Sequence, residues 1–526
     1  MNLDTSSLPT DVSELHHIIV SLADKKAADK LKIEYLEEYV RQLQAVLFGR
    51  KSEKRHKEGD KDQINLFDEA EVALSEEQEA PPEVTIEKHS RRKPGRRPLP
   101  PELPRVEVIH DLSEAEKMCE CGTPLSRIGE DVCEKLDIIP AVIQVIRHVR
   151  YKYVCKNCEG IESEAPTIQI APLPPQILPK SLATPGLLAF IMTSKFEDAL
   201  PFYRQEKIFS RIGVEITRAN MANWAIKAAG QSGPLLDLFR HEIRGGPLVN
   251  IDETPVQVMK EPGRADTSLS YMWVYRGGPP DHPVLYYQYH PTRSGIVPLT
   301  FLEGYRGYIQ TDGFSGYEAL AREPGVIHVG CWAHARRKFH DVVQASKGQA
   351  KRGYANEALE TIGKLYGIEK FADQRGMTLE ERRQVRQEKA VPILEEFKGW
   401  LTRLSLQTPP KGLFGKAVNY ALNRWPSLIR YTEDGLLRPD NNLAENAIRP
   451  FVVGRKNWLF SGHPRGAEAS AAIYSLIETA KANGLQSYFY LRFLFENLPM
   501  ASSEEDYRRL LPQYADRKLI DAIAAR

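Results

Sequence analysis

Four β-rich runs follow one another between Pro247 and Tyr317: "PLVNIDETPVQVM", "SYMWVYRGG", "PVLYYQYHP" and "GYIQTDGFSGY", separated by Gly and Pro turns. "VIHVGCWAHARRKFHD" then passes from strand into helix. Successive strands, followed by a strand that alternates with helices, predict a mixed α/β sheet. Two aspartates each follow an apolar strand, Asp252 after "LVNI" and Asp312 after "YIQT". Both are expected near a strand's C-terminal end, where such sheets gather their sites. Strand alternation turns Glu253 to the face opposite Asp252, so those two do not pair. A buried strand-end carboxylate is costly unless paired or bound to a cation, and neither Asp has an obvious Lys or Arg beside it. A hard cation held by oxygen, Mg²⁺ or Mn²⁺, fits that need.

A third acid lies far along the chain, in "RPDNNLAENAIRPF". This stretch reads as a short helix that Asn441 or Asn442 caps and that Pro450 ends. Taken alone, Glu445 with Arg449 four residues on is a surface ion pair contributing about 0.3–0.5 kcal/mol. The other reading makes Glu445 the third arm of a site built on the sheet.

Global charge does not choose a partner: 71 Lys and Arg face 70 Asp and Glu, a formal net charge of +1. Any nucleic-acid signal therefore lies in local clusters. No apolar run reaches the roughly eighteen residues that span a bilayer, and "MNLDTSSLPTD" lacks a signal-peptide pattern. Six cysteines are too few for a disulfide scaffold in a chain this long, so a reducing cytoplasm is expected.

The expected architecture is multidomain α+β. Residues 1–55 carry Leu15, Leu22, Leu36 and Leu43 on one heptad position and Ile19, Ile33, Val40 and Leu47 on another, interrupted by Lys26 and Asp29. That seam suits a self-associating coiled coil or an amphipathic helix packed on its own protein. Residues 56–90 form an acidic linker. In residues 91–170, Arg91, Arg92, Lys93, Arg96 and Arg97 lie among prolines, as a DNA-contacting arm or a solvated linker. In the same region Cys119, Cys121, Cys155 and Cys158 flank the β-rich "LDIIPAVIQVIRHVRYKYV" and suit a tetrahedral structural zinc, while Cys133 is left over as a small core residue.

Residues 171–235 read as three helices. The first is the amphipathic "TPGLLAFIMTSKFEDAL"; the second ends at Gly213, and the third starts at the cap Thr217. The last two make a helix-turn-helix candidate, with Arg218, Asn220 and Asn223 toward DNA, or a helical hairpin without a DNA partner. The sheet domain, 236–345 and 433–485, is interrupted by a helical insertion, 346–432, and 486–526 closes the chain as a helical tail.

"NIDETP", "TDGFSGY", "CWAHARRKF" and "NNLAENAIRP" resemble the signature blocks of the insertion-sequence 66 family of bacterial transposases, the TnpC type. The resemblance runs nearly end to end, through "LFGRKSEK", "RIGEDV" with its cysteine pairs, and "LPFYRQEKIFSRIGVEITRANMANW". It implies a ribonuclease-H-like catalytic domain whose Asp-Asp-Glu triad carries onto Asp252, Asp312 and Glu445. The 133-residue gap (445 − 312) fits an insertion before the Glu helix. The implied chemistry is two-metal: Asp252 bridges two Mg²⁺ or Mn²⁺ ions, Asp312 holds one and Glu445 the other. One step cuts a strand at the element's end, and a second sends the freed 3′-hydroxyl into target DNA. Cys331 and His334 match a Cys-x-x-His element of related transposases, in a supporting role. Relatives in the wider superfamily carry a Lys seven residues after the Glu; here that residue is Val452, and Arg449, Arg455 and Lys456 are the nearest cations for DNA. The implied partners are double-stranded DNA at element ends and target, a second copy or more, and accessory proteins of the same element, in a bacterial nucleoid. A regulator that binds DNA without chemistry, and a nuclease that cuts without joining, are the rival expectations.

Overall fold

The computed structural model describes residues 143–154, 168–170, 172–345 and 353–524, with isolated positions 11, 16, 21–22, 25–26, 29 and 33. The chain divides into two units, Glu71–Leu173 and the remainder. In the first, β1 (Lys152–Val154) pairs antiparallel with β2 (Ile168–Ile170), Lys152 opposite Ile170. Residues 143–151 are exposed and not strand, so the β-rich segment expected before Cys155 narrows, among the described residues, to Lys152–Val154. Residues 143–151 mix apolar and charged side chains and have no ladder partner among the described residues. The basic arm Arg91–Arg97, Cys119, Cys121, Cys133, Cys155 and Cys158 lie outside the described residues. In the heptad segment the described positions from His16 to Ile33 are helical, and the seam residues Leu22 and Ile33 are 59% and 57% exposed.

The second unit is built on one sheet. Its strands are β3 (Leu248–Val258), β4 (Leu269–Gly277), β5 (Val284–His290), β6 (Gly307–Gln310) and β7 (Val326–Val329), in spatial order β5-β4-β3-β6-β7. The first three pair antiparallel, whereas β6 and β7 extend the sheet parallel to β3. A short β8 (Phe460–Ser461) pairs with β3 only at Gln257 and Val258. Between Asn250 and Gln257 one edge of β3 therefore has no strand beside it among the described residues, which is where Pro255 is tolerated. This also revises the placement of Asp252. β4 holds β3 in a ladder out to Gln257, so Asp252 stands mid-strand and not at its end.

Between residues 172 and 247 the chain forms α1 (Pro185–Phe196), α2 (Phe202–Arg211), α3 (Arg218–Gln231) and α4 (Gly233–Gly245). Thr184 and Thr217 cap α1 and α3, accepting from the amides of Leu187 and Asn220, each at 3.2 Å. Gly213, at φ +80°, closes α2 as the sequence reading expected. α1 is shorter than that reading and buried on most sides, with Leu188, Ala189, Ile191 and Met192 at 0% exposure. Its amphipathic look came from Glu197 and Asp198, which lie past its end, where Ala199 turns the chain at φ 56°. These helices share one hydrophobic core with the sheet and the C-terminal helices.

After a short α5 (Ile296–Phe301) and the last parallel strand comes α6 (Trp332–Ala345). The insertion follows as α7 (Tyr354–Gln374), α8 (Leu379–Val385), a π-helical turn at Arg386–Ala390, α9 (Val391–Gln407) and α10 (Leu413–Leu428), packed on α6 around Trp332, Phe397 and Trp425. α11 (Asn442–Trp458) carries Glu445, and α12 (Pro464–Ala482), α13 (Ser487–Asn497), α14 (Glu504–Leu510) and α15 (Arg517–Ala524) end the chain. α12 is Ala- and Ser-rich and lies close on edge strand β5. Ser475 Oγ accepts from the Tyr287 amide at 2.8 Å and Thr479 Oγ1 from the Leu285 amide at 3.0 Å, so helix side chains satisfy the strand's open edge.

Candidate acidic site

The sheet register assembles the site. Asn250 on β3 stands opposite Gln310 on β6, and Gln310 opposite Val329 on β7. Two residues further along each segment come Asp252, Asp312 and Cys331. All three thus fall on one row at the C-terminal end of the parallel ladder. Asp252 is 9% exposed; its Oδ1 accepts from the Glu253 amide at 2.9 Å, and its Oδ2 is buried with no hydrogen-bond partner. Burial first, then the charges of Glu253, Glu445 and Asp312, push its carboxyl well above the usual range. Asp312 is half-buried and its Oδ1 accepts from the Phe314 amide at 2.8 Å, which turns the loop back on itself. Gly313 has no room for a side chain: a Cβ there meets the Tyr420 hydroxyl of α10 at 2.5 Å.

Glu445 reaches this row from the first turn of α11, and Asn441 sets where that turn begins. The expected cap does not form. The Asn441 side chain points inward, donating to the Ile251 carbonyl at 2.9 Å and accepting from Asn250 at 3.1 Å, while the Asn442 amide goes to Asp440 Oδ1 at 3.2 Å. The helix also continues through Pro450 to Trp458, against the sequence expectation. An interior proline costs roughly 3 kcal/mol, but Ile448, Phe451 and Val452 are fully buried and contribute about 1.5–3 kcal/mol each. The carbonyl that loses its partner is that of exposed Asn446, and the Tyr287 hydroxyl donates to the next one, at Ala447.

On the other side of Glu445 lies the start of α6. The Trp332 amide donates to the Pro439 carbonyl at 2.8 Å, and the Asn441 amide to Cys331 Sγ at 3.2 Å. His334 Nδ1 lies 3.6 Å from Glu445 Oε1. Among the described residues, one trio of metal-type donors has its ligand atoms all within 4.8 Å of one another, and it is Cys331, His334 and Glu445. Glu445 and Asp312 both act on the charge of Asp252, but among the described residues these three acids do not form a trio at that distance.

Two networks behind the acids escaped the sequence reading. Glu253 is buried on the far face of β3, held by Arg293 at 2.6 Å and by the Tyr317 hydroxyl. Burial and Asp312 raise its carboxyl to about 7 against the pull of Arg293. Asn250, Gln310 and Asn441 form the second network, in which Gln310 Nε2 also donates to the Arg438 carbonyl at 2.7 Å. Its signal was present: each Asp is preceded, two residues earlier, by an amide side chain, Asn250 in "LVNI" and Gln310 in "YIQT".

The candidate DNA contacts are dispersed. Arg218, Asn220 and Asn223 are exposed near the start of α3, whose other face buries Met221, Trp224 and Ala225. On α11, Lys456 is exposed and Arg455 donates to Thr254 Oγ1 at 3.1 Å, while Arg449 is half-buried. Val452, in place of a lysine, is 1% exposed and faces the core.

Residues 180–469, which hold the sheet, the insertion and Glu445, match the model of "Transposase IS66 family", a transposase-type domain. Residues 35–108 match "Transposase C of IS166 homeodomain", 116–159 "zinc-finger binding domain of transposase IS66", and 475–513 "IS66 C-terminal element". The chain belongs to the IS66 family of transposases. Similar proteins from Sinorhizobium fredii (strain NBRC 101917 / NGR234) include uncharacterized protein y4qI, 30% identical over 550 residues covering 97% of this chain and 98% of that one. Another is uncharacterized protein y4jD, 32% identical over 418 residues, 77% of this chain and 79% of the relative. The zinc-finger match spans Cys119, Cys121, Cys155 and Cys158 and supports a structural zinc. Among the described residues no helix is long and apolar enough to cross a membrane.

Proposed function

We propose that this chain binds the terminal inverted repeats of an insertion sequence and catalyses divalent-metal-dependent strand cleavage and strand transfer, with Asp252, Asp312 and Glu445 as its acid triad. The observation that carries the reading is Asp252 Oδ2, a buried carboxylate oxygen without a partner, in the field of the other two acids. Such an oxygen fits a cation ligand, because a cation removes both the desolvation cost and the mutual repulsion. Mg²⁺ or Mn²⁺ held by these oxygens supplies the charge that activates a water or 3′-hydroxyl and stabilises the leaving oxygen. The sheet order, an antiparallel three-strand meander extended by two parallel strands, supports a ribonuclease-H-like domain.

The remaining roles fall to this chain's own groups. Asn441 ties the Glu445 helix to the Asp252 strand. Arg293 pairs with Glu253 and offsets part of the charge that Glu253 adds behind Asp252. Arg449, Arg455 and Lys456, with Arg218, Asn220 and Asn223, face phosphates, and the arm at Arg91, Arg92, Lys93, Arg96 and Arg97 follows the DNA backbone. Cys119, Cys121, Cys155 and Cys158 hold the structural zinc, and the exposed seam residues Leu22 and Ile33 support pairing of two copies.

The test uses purified protein, a labelled duplex from the element's end, Mg²⁺ or Mn²⁺ and a target plasmid, with Asp312→Ala and Glu445→Ala alongside. Joined product from the wild type alone is the expected result. Nicking without joining supports the nuclease reading, and binding without cleavage in any metal overturns the triad.

A further inference from the structure

We propose that Cys331, His334 and Glu445 form a second metal site, for a soft divalent ion of the Zn²⁺ class, distinct from the cysteine zinc module and sharing Glu445 with the acid triad. Their ligand atoms lie within 4.8 Å of one another, close enough to converge on a single ion by a small approach, and His334 Nδ1 is 3.6 Å from Glu445 Oε1. The donors come from two helix starts that are fixed to each other. Cys331 immediately precedes α6 and His334 lies in its first turn, so the Cys-x-x-His spacing turns sulfur and imidazole to the same side. Trp332 to Pro439 and Asn441 to Cys331 then bind the α6 start to the segment that opens α11. A site whose donors are placed by backbone contacts needs little rearrangement to bind.

The donor set chooses the ion. Sulfur, imidazole and one carboxylate oxygen suit Zn²⁺, Co²⁺ or Cd²⁺, whereas Mg²⁺ and Mn²⁺ prefer all-oxygen shells. Binding breaks the Cys331 S–H bond and forms a metal–sulfur bond, and the proton leaves to solvent. Thiolate and carboxylate then balance the two positive charges of the ion, which suits a site where Cys331 is 2% exposed. Three protein donors leave a fourth position open for water or another ligand.

The consequence rests on the triad reading of Glu445. A carboxylate held by a soft metal beside His334 is withdrawn from Asp252 and Asp312, so Zn²⁺ at this site opposes Mg²⁺-dependent cleavage. Glu445 has two addresses, and the ion present decides between them.

The experiment is a Zn²⁺ and Co²⁺ titration of the reduced, metal-stripped full-length chain beside Cys331→Ser, His334→Ala and Glu445→Gln. The expected result is one ion fewer per chain in each variant, and a thiolate-to-cobalt charge-transfer band that survives in the difference spectrum of wild type minus Cys331→Ser, where the contribution of the cysteine module cancels. Equal metal content in the wild type and in Cys331→Ser and His334→Ala overturns the site. Retention of the ion by Glu445→Gln removes Glu445 from it. His334→Ala keeps the test sound should the buried cysteine tolerate no change. In cleavage assays, low-micromolar Zn²⁺ added to Mg²⁺ is expected to slow the wild type at least tenfold. A wild type inactive in Mg²⁺ alone leaves the metal count standing and defeats the triad reading instead.

Discussion

The side-chain amide of Asn441 donates to the backbone carbonyl of Ile251 across 2.9 Å, so the residue that opens the Glu445 helix is bonded to the residue just before Asp252. That bond occupies the stretch of β3 edge where no strand lies. Asn441→Ala leaves the buried Ile251 carbonyl without the Asn441 donor, costing about 1–3 kcal/mol, while the Asn250 amide keeps its bond to Gln310 at 3.0 Å. Thermal unfolding is expected to show the loss. Cleavage of an end duplex is expected to fall further in Asn441→Ala than in a surface variant of equal instability, because the helix carrying Glu445 loses its register.

Arg386 is fully buried and spends all its donors: two on Glu369 at 2.7 Å each, and three on the carbonyls of Tyr431, Asp434 and Leu437. Arg386→Met is expected to cost about 3–5 kcal/mol in urea unfolding, since the acid and carbonyls stay buried. Glu369 keeps Arg382 as a partner at 2.8 Å, so the open carbonyls carry most of the loss, and Glu369→Leu in the same chain is expected to add to it by stripping Arg382. A double variant more stable than the single one would return the loss to the acid.

Gly313→Ala forces a Cβ to within 2.5 Å of the Tyr420 hydroxyl. Overpacking of this kind costs about 1–3 kcal/mol. The expected outcome is a lower melting temperature and weaker cleavage, both partly restored by Tyr420→Leu. Restored stability with unrestored cleavage would assign Tyr420 a part in holding the Asp312 loop beyond its bulk.

The Lys195 ammonium lies 4.5 Å from the ring centre of Phe202 and 5.4 Å from that of Trp458, and burial pulls its pKa down to about 8. In the unfolded chain the amine keeps its proton to the ordinary value of 10.5. Between these values the unfolded state binds more protons, so this residue's contribution to stability rises with pH. Urea midpoints at pH 8 and pH 10 are expected to show a wild-type gain that Lys195→Met lacks. An identical pH dependence in the two proteins would place the amine in water.

Replacing Arg91, Arg92, Lys93, Arg96 and Arg97 by Ala is expected to lower the slope of log affinity against log salt by about 0.9 for each phosphate contact removed. An unchanged slope in filter binding at several salt concentrations makes the arm a linker.

The sheet was legible in the sequence because its strands are apolar, short and punctuated by Gly and Pro, and both aspartates were found through that pattern. The middle position of Asp252 was not legible, since antiparallel pairing beyond it depends on β4, a contact no local pattern carries. Pro450 was misread for the same reason: a local rule ended the helix, and the burial of Ile448, Phe451 and Val452 overrode it. Glu253 was assigned correctly to the opposite face from Asp252. Its partners Arg293 and Tyr317 lie in other segments, and nothing near Glu253 announces them. The Asn250–Gln310–Asn441 network shows the limit best, because each amide is visible alone and their meeting is a property of the fold.

The helical insertion braces the segments that lead from Asp312 and toward Glu445. Arg424 on α10 donates to the Gly313 carbonyl at 2.8 Å beside Asp312, while Arg386 grips the chain on its approach to Glu445. One bundle therefore seats both the second and the third acid, as a keystone seats the two arms of an arch. Its loops are free to lengthen, but removing a helical turn from α10 would displace Asp312 as surely as a change beside it. Mutational tolerance in this protein should accordingly follow distance from Arg424 and Arg386 rather than distance from the acids along the chain.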